Sequence, residues 1–201
     1  MRVLSRGASL VIVLLATALV LPRAADAQVA KYFGFVGGAT LSDLSDSYGI
    51  YNTSSKWGGN AGLVLGLRTT NRMVFSVEPA WTQMGASFAG TTGGIDYIEV
   101  PVTVGGLGEA ANENIRYGGY AGITPAFKLT CSIDQPAEAC NHVKSTAWFL
   151  PVGLRIFKRT GEDAFIGLDI RYSFPLGSSF DDADVHQRSW AFRLVFAKGD
   201  L

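Results

Sequence analysis

Apolar residues recur at every second position through most of this chain, and the charged residues within those stretches fall on the opposite parity. A period of two is that of a β-strand with unlike faces, because successive side chains point to opposite sides of a sheet. Ala61, Leu63, Leu65 and Leu67 share one parity against Asn60, Gly62, Gly66 and Arg68; Met73, Phe75, Val77, Pro79 and Trp81 oppose Ser76, Glu78, Ala80 and Thr82. Helical periodicity is nearly absent. Eight alternating segments can be drawn, at about 29–40, 58–69, 72–88, 95–108, 114–130, 146–158, 164–176 and 187–197. With 11 to 17 residues, they meet or exceed the roughly 9–11 that a tilted strand needs to cross a bilayer.

The connections alternate in length. Thr70-Asn71, Glu109 to Glu113 and Thr160 to Asp163 are short, whereas the links after segments one, three, five and seven are longer and rich in Gly, Ser, Asn and Asp. Short turns at one rim and long loops at the other are the pattern of a barrel with periplasmic turns and extracellular loops. The fold class expected is therefore all-β, an eight-stranded antiparallel up-and-down transmembrane β-barrel, with both chain ends on the periplasmic side.

Nine charges within the segments decide which face meets lipid. Arg68, Glu78, Glu99, Arg116, Lys128, Arg155, Asp169, Arg171 and Arg193 all lie on the less apolar parity. An Arg or Lys facing hydrocarbon costs roughly 2–4 kcal/mol at mid-depth, so this parity marks the inside. A soluble barrel would invert the arrangement. Against that inversion, Gly62, Gly66, Gly118, Gly122, Gly153 and Gly167 share the charged parity, as a narrow lumen requires, and the aromatics of the other parity exceed what an eight-stranded interior can pack. Trp57, Trp81, Trp148 and Trp190 fit interfacial girdles. Inside, six basic residues face three acidic ones, and confined charges must pair. The interior is expected to be plugged and ion-paired, with a small anion leak left open by the surplus positive charge. Glu78, Glu99, Arg116 and Arg171 are read as part of that pairing rather than as an acid–base site.

Residues 1–27 read as a secretory signal peptide. Arg2 and Arg6 precede an apolar run from Ala8 to Leu21, Pro22 breaks it, and Ala25-Asp26-Ala27 sets small residues ahead of a cut before Gln28. Residues 28–201 then form one barrel domain. Without Arg2, Arg6, Arg23 and Asp26, the 17 basic and 17 acidic residues fall to 14 and 16. Scattered charge near neutrality excludes a nucleic-acid partner. Export places Cys131 and Cys140 in an oxidising compartment, so a loop-closing disulfide is expected, and no second Cys or His pair joins them at zinc spacing.

Other motifs carry no chemistry. Gly106-Leu107-Gly108-Glu109-Ala110-Ala111 matches a dinucleotide fingerprint, but another strand follows where a helix N-terminus is needed. Asp181, Asp182, Asp184 and His186 cluster in the last long loop without the turn glycine of a calcium site, and read as solvated acid, as do Asp43 and Asp46. His142 and His186 stand in different loops, and no nucleophile motif accompanies them. No metal, cofactor or enzymatic activity is expected.

Three segments carry a resemblance. Gly34-Phe35-Val36-Gly37-Gly38-Ala39-Thr40-Leu41-Ser42-Asp43-Leu44 is similar to the first strand and "GG-x-x-LS-x-L" exit of the PorT-like, or outer membrane protein beta-barrel, family. Val77 to Ala86 resembles its "PEL-x-Y-x-x-KG" third strand, and Ile95 to Val102 its "L-x-Y-L-E-I-P" segment. The resemblance spans the mature chain and implies an outer-membrane location, with no catalysis in most members. One departure is the end of the chain, where Phe196 is followed by Ala-Lys-Gly-Asp-Leu rather than closing on an aromatic residue. The function expected is a monomeric, non-enzymatic barrel in the cell outer membrane, placed by the barrel insertion machinery, serving envelope structure or binding a surface ligand through its loops. A narrow pore for small solutes or anions and a soluble periplasmic binding barrel are the alternatives.

Overall fold

The computed structural model describes residues 29–46, 53–69, 71–88, 91–110, 114–133, 140–181, 185–199 and 201. The signal segment therefore lies outside the described residues, as do Asp182 and Asp184. Ten strands form one antiparallel sheet: β1 (Ala30–Asp46), β2 (Ser54–Arg68), β3 (Met73–Val77), β4 (Ala80–Phe88), β5 (Thr91–Glu99), β6 (Val102–Glu109), β7 (Ile115–Ile133), β8 (Thr146–Arg159), β9 (Ala164–Pro175) and β10 (Val185–Gly199). The sheet closes on itself, since β1 pairs with both β2 and β10.

Ten strands make eight staves. β3 and β4 are one stave interrupted at Glu78-Pro79, and β5 and β6 are another interrupted at Val100-Pro101. Proline has no N–H to give a ladder, which is why these interruptions occur where they do. The pairing is kept from one side, Glu78 N donating to Pro101 O and Val100 N to Pro125 O, each at 3.0 Å. Every stave neighbours its sequence neighbours, so the topology is up-and-down, as expected. The strands run further than the sequence pattern suggested: β1 reaches Asp46, β5 begins at Thr91, β7 reaches Ile133 and β10 begins at Val185. These extensions sit at the long-loop rim, where alternation fades because neither face need be apolar.

Following the register from Thr40 through Ala191, Arg171, Gly153, Tyr120, Gly105, Val74 and Arg68 returns to Ala30, ten residues down the strand where the circuit began. Such a stagger in eight staves requires a tilt on the order of 40°. The coiling brings backbones close on the inner side. A Cβ on Gly38 would strike the carbonyl oxygen of Phe192 on the facing strand, so no larger residue fits there without moving the backbone.

Inner glycines also seat aromatic rings. Tyr32 pairs with Gly66, Tyr120 with Gly153 and Phe157 with Gly167, and in each pair the ring folds over the glycine. Gly153→Ala would place a methyl against the Tyr120 phenol and the carbonyl of Ile170. Overpacking of this kind costs about 1–3 kcal/mol. Urea titration of the refolded variant, followed by tryptophan fluorescence, is expected to read a loss in that range.

Candidate functional site

The faces divide as the parity predicts. Phe33, Phe35, Leu63, Leu65, Val102, Val104, Leu154, Ile156, Leu168, Leu194 and Phe196 are exposed on the outside of the wall, while Glu78, Glu99, Arg155, Asp169, Arg171 and Arg193 are buried within it. The apolar band is bracketed by outward charges. On β1, Lys31 and Asp43 stand twelve positions apart, which at ~3.3 Å per residue and the tilt above spans about 30 Å. Near its long-loop edge Trp190 packs at 4.8 Å from Tyr172 and 6.4 Å from Phe192, with Trp57 6.3 Å from Phe192. Phe33, Phe75, Tyr117 and Phe196 are exposed towards the other edge.

Inside, the charges of the central layer meet across the lumen. Glu78 stands at the stave interruption and accepts from three arginines, Arg155, Arg171 and Arg193, the last at 3.1 Å. Asp169 accepts from Arg155 Nε at 2.5 Å and from Arg193 Nε at 2.8 Å. Tyr120, over its glycine, donates to Asp169 at 2.9 Å and accepts from Arg171 Nε at 3.2 Å, while the Arg155 guanidinium lies 4.2 Å from the centre of its ring. Ser76 bonds to Glu78 at 3.0 Å and to Thr103 at 2.6 Å. Glu99 lies further towards the long-loop rim, taking a 2.9 Å bond from Thr82, which in turn accepts from Asn60 at 2.6 Å.

The nine expected lumen residues thus separate into groups. Arg68 and Arg116 are at the short-turn rim, where both face Glu109, at 3.1 and 3.6 Å. The hydrogen bond from Arg68, with the Arg116 charge beside it, holds the Glu109 carboxyl below the usual carboxylate range. Lys128 is at the opposite end and donates to the carbonyls of Cys140 and Val143, at 3.2 and 2.6 Å. This narrows the expected surplus of positive charge, from six basic residues against three carboxylates to six against four. Three arginines face three carboxylates in the middle of the barrel, and Glu109, which the sequence placed in a turn, serves the two arginines at the rim. Nothing in alternation alone could assign Glu109 a partner, because that assignment depends on which strand feet adjoin.

Beyond the charged layer the lumen is filled by apolar side chains. Towards the short turns, Tyr32, Val64, Val74, Leu107, Phe157, Phe165, Val195 and Leu201 form an apolar cluster. Gly199, at a φ of 131°, turns the chain at the foot of β10 in a way that only glycine tolerates, and Leu201 is 1 % exposed. The departure noted at the end of the sequence thus feeds a residue into the seal. Towards the long loops, Met84, Ile95, Tyr97, Ala126, Val143, Ala147 and Phe149 form another cluster. Cys131 is bonded to Cys140, so the segment that delivers Val143 over the mouth is fixed to the end of β7. Phe149 and Phe157 share parity with Arg155, and that was the available sign in the sequence. A small cavity of about 20 Å³, room for little more than a water, lies beside Tyr32, Ser76, Tyr120 and Arg155.

No family model matches the chain, the PorT-like family included, and no curated protein matches it. Its fold is found among solved structures. Neisserial surface protein A (NspA) superposes with a TM-score of 0.52 at 16 % identity, over 83 % of this chain and 96 % of that one. The outer membrane protein OprG from Pseudomonas aeruginosa superposes with a TM-score of 0.53 at 13 % identity, over 85 % and 96 %. The likeness is one of fold, that of the small transmembrane β-barrel.

Proposed function

We propose that the chain is a non-enzymatic barrel of the cell outer membrane, exported by residues 1–27 and closed to solutes, whose exposed rim and wall serve envelope structure or surface interaction. The observation that carries the reading is the combination of an apolar outer wall with a lumen sealed at two levels around an ion-paired layer. An exposed apolar surface of this extent is incompatible with water, and a closed barrel meets the requirement that every backbone group in hydrocarbon be bonded internally. The soluble binding barrel would need the apolar parity inside, where the charges are.

The packing of the lumen opposes the pore reading. A conducting path must pass Leu201 and Phe157, then the Glu78–Asp169 cluster, then Tyr97 and Phe149, all of them buried. Planar-bilayer recording of purified protein is expected to show no discrete conductance steps. Reproducible steps would overturn the closed-lumen reading and leave the barrel intact. The segments Gly34 to Leu44, Val77 to Ala86 and Ile95 to Val102 support PorT-like membership on sequence resemblance. Insertion by the barrel machinery and a monomeric state complete the proposal. Retention of the protein in a detergent-extractable outer-membrane fraction, with slower gel mobility after boiling, tests the location; release by osmotic shock would refute it.

A further inference from the structure

The outer wall is not electrically symmetric. At the short-turn rim, the outward positions at the feet of β1, β8 and β10 carry Lys31, Lys158 and Lys198, all exposed. At the long-loop rim, the outward positions carry Asp43, Asp96 and Arg188, and Arg188 is spent on Asp43 at 2.6 Å. Among the described residues none of the three lysines is in an ion pair.

Register places these lysines together. Lys198 pairs with Ala164 on β9 and with Phe33 on β1, two residues from Lys31; Lys158 pairs with Ile166, two residues above Ala164. Lys158 and Lys198 therefore flank the foot of β9 at two strand spacings, about 10 Å. Between them the wall offers Ala164 beside Lys198 and Ile166 beside Lys158, and above these the exposed Leu168 continues an apolar lane. Lysine stems lie along apolar surface while their ammonium groups reach the interface. Two such groups astride a shallow apolar lane fit a phosphate diester with its acyl chains running up the wall.

We propose that the foot of β8, β9, β10 and β1 is a docking surface for the headgroups of anionic phospholipids in the leaflet at the short-turn rim. Glu162 and Asp163 are exposed in the turn that precedes Ala164, and Glu109 is held by Arg68 and Arg116. The inference rests on the membrane-spanning reading above, and its test separates the two.

The full chain is reconstituted into phosphatidylcholine vesicles doped with phosphatidylglycerol. Electron paramagnetic resonance of spin-labelled lipids then gives the association constant of each lipid relative to phosphatidylcholine. Wild-type protein should select phosphatidylglycerol, with a contribution of roughly fivefold per engaged lysine. The combined Lys31→Gln, Lys158→Gln and Lys198→Gln variant should bring the ratio close to one, and raised salt should do the same to wild type. Lys144→Gln, near the opposite rim, should leave it unchanged. Folding of each variant is read independently from heat-dependent gel mobility. A folded triple variant that keeps its selectivity overturns the docking surface and leaves the barrel standing. A wild-type chain that shows no motionally restricted lipid of either kind overturns the membrane reading itself.

Discussion

Glu78→Leu is expected to lower the unfolding free energy by about 3–5 kcal/mol, the scale found when one member of a buried ion pair is removed. The side chain lost is the acceptor common to Arg155, Arg171 and Arg193, and it is 1 % exposed. Three guanidinium groups would be left with Asp169 and the more distant Glu99, and the uncompensated charge would have nowhere to be solvated. Most of the loss is the cost of that stranded charge rather than the worth of the bonds themselves. The double variant Glu78→Leu/Arg171→Leu restores the balance of sign and should recover a substantial part of it, a coupling that a double-mutant cycle measures directly. Equilibrium urea unfolding in lipid vesicles provides the readout. A loss below ~1 kcal/mol for Glu78→Leu would show that the cluster is solvated and the lumen open.

Leu154→Arg tests the outer wall with an effect of similar size and opposite logic. Leu154 is 66 % exposed and sits in the middle of β8, paired with Gly119 and Ile170, far from either rim. In water, such a change on an exposed site is worth within about 0.5 kcal/mol of nothing. Facing the midplane of a bilayer it costs about 2–4 kcal/mol. The neighbouring position provides the internal comparison, because Arg155 is tolerated one residue along where its side chain points into the lumen. Vesicle-based unfolding of Leu154→Arg that matches wild type would mean that the apolar face is not in contact with hydrocarbon.

The physical division between these two faces is legible in the sequence alone. A period of exactly two leaves no freedom about which residues share a side, so Leu154 and Arg155 had to part company in any strand containing both. Eight staves and their alternating turns and loops followed from the same pattern. Pro79 and Pro101, by contrast, marked interruptions that the alternation ran straight through, since side-chain parity survives the loss of a single ladder bond.

The contents of the lumen were another matter. Sequence showed that Glu78, Arg155, Arg171 and Arg193 face inward, but their positions are separated by 77, 93 and 115 residues from Glu78 to its three partners. Which inward residues lie at one height depends on the ten-residue stagger of the closed sheet, a property of all eight staves at once. That same stagger gathers Phe157, Phe165 and Leu201 into one seal and Tyr97 and Phe149 into another, and it gives Arg68 and Arg116 to Glu109. Local periodicity determined the side on which each residue stands, because it is a geometric consequence of the extended backbone. Only closure of the barrel decided its neighbours, because register between strands is fixed by the whole circuit and written in no single segment.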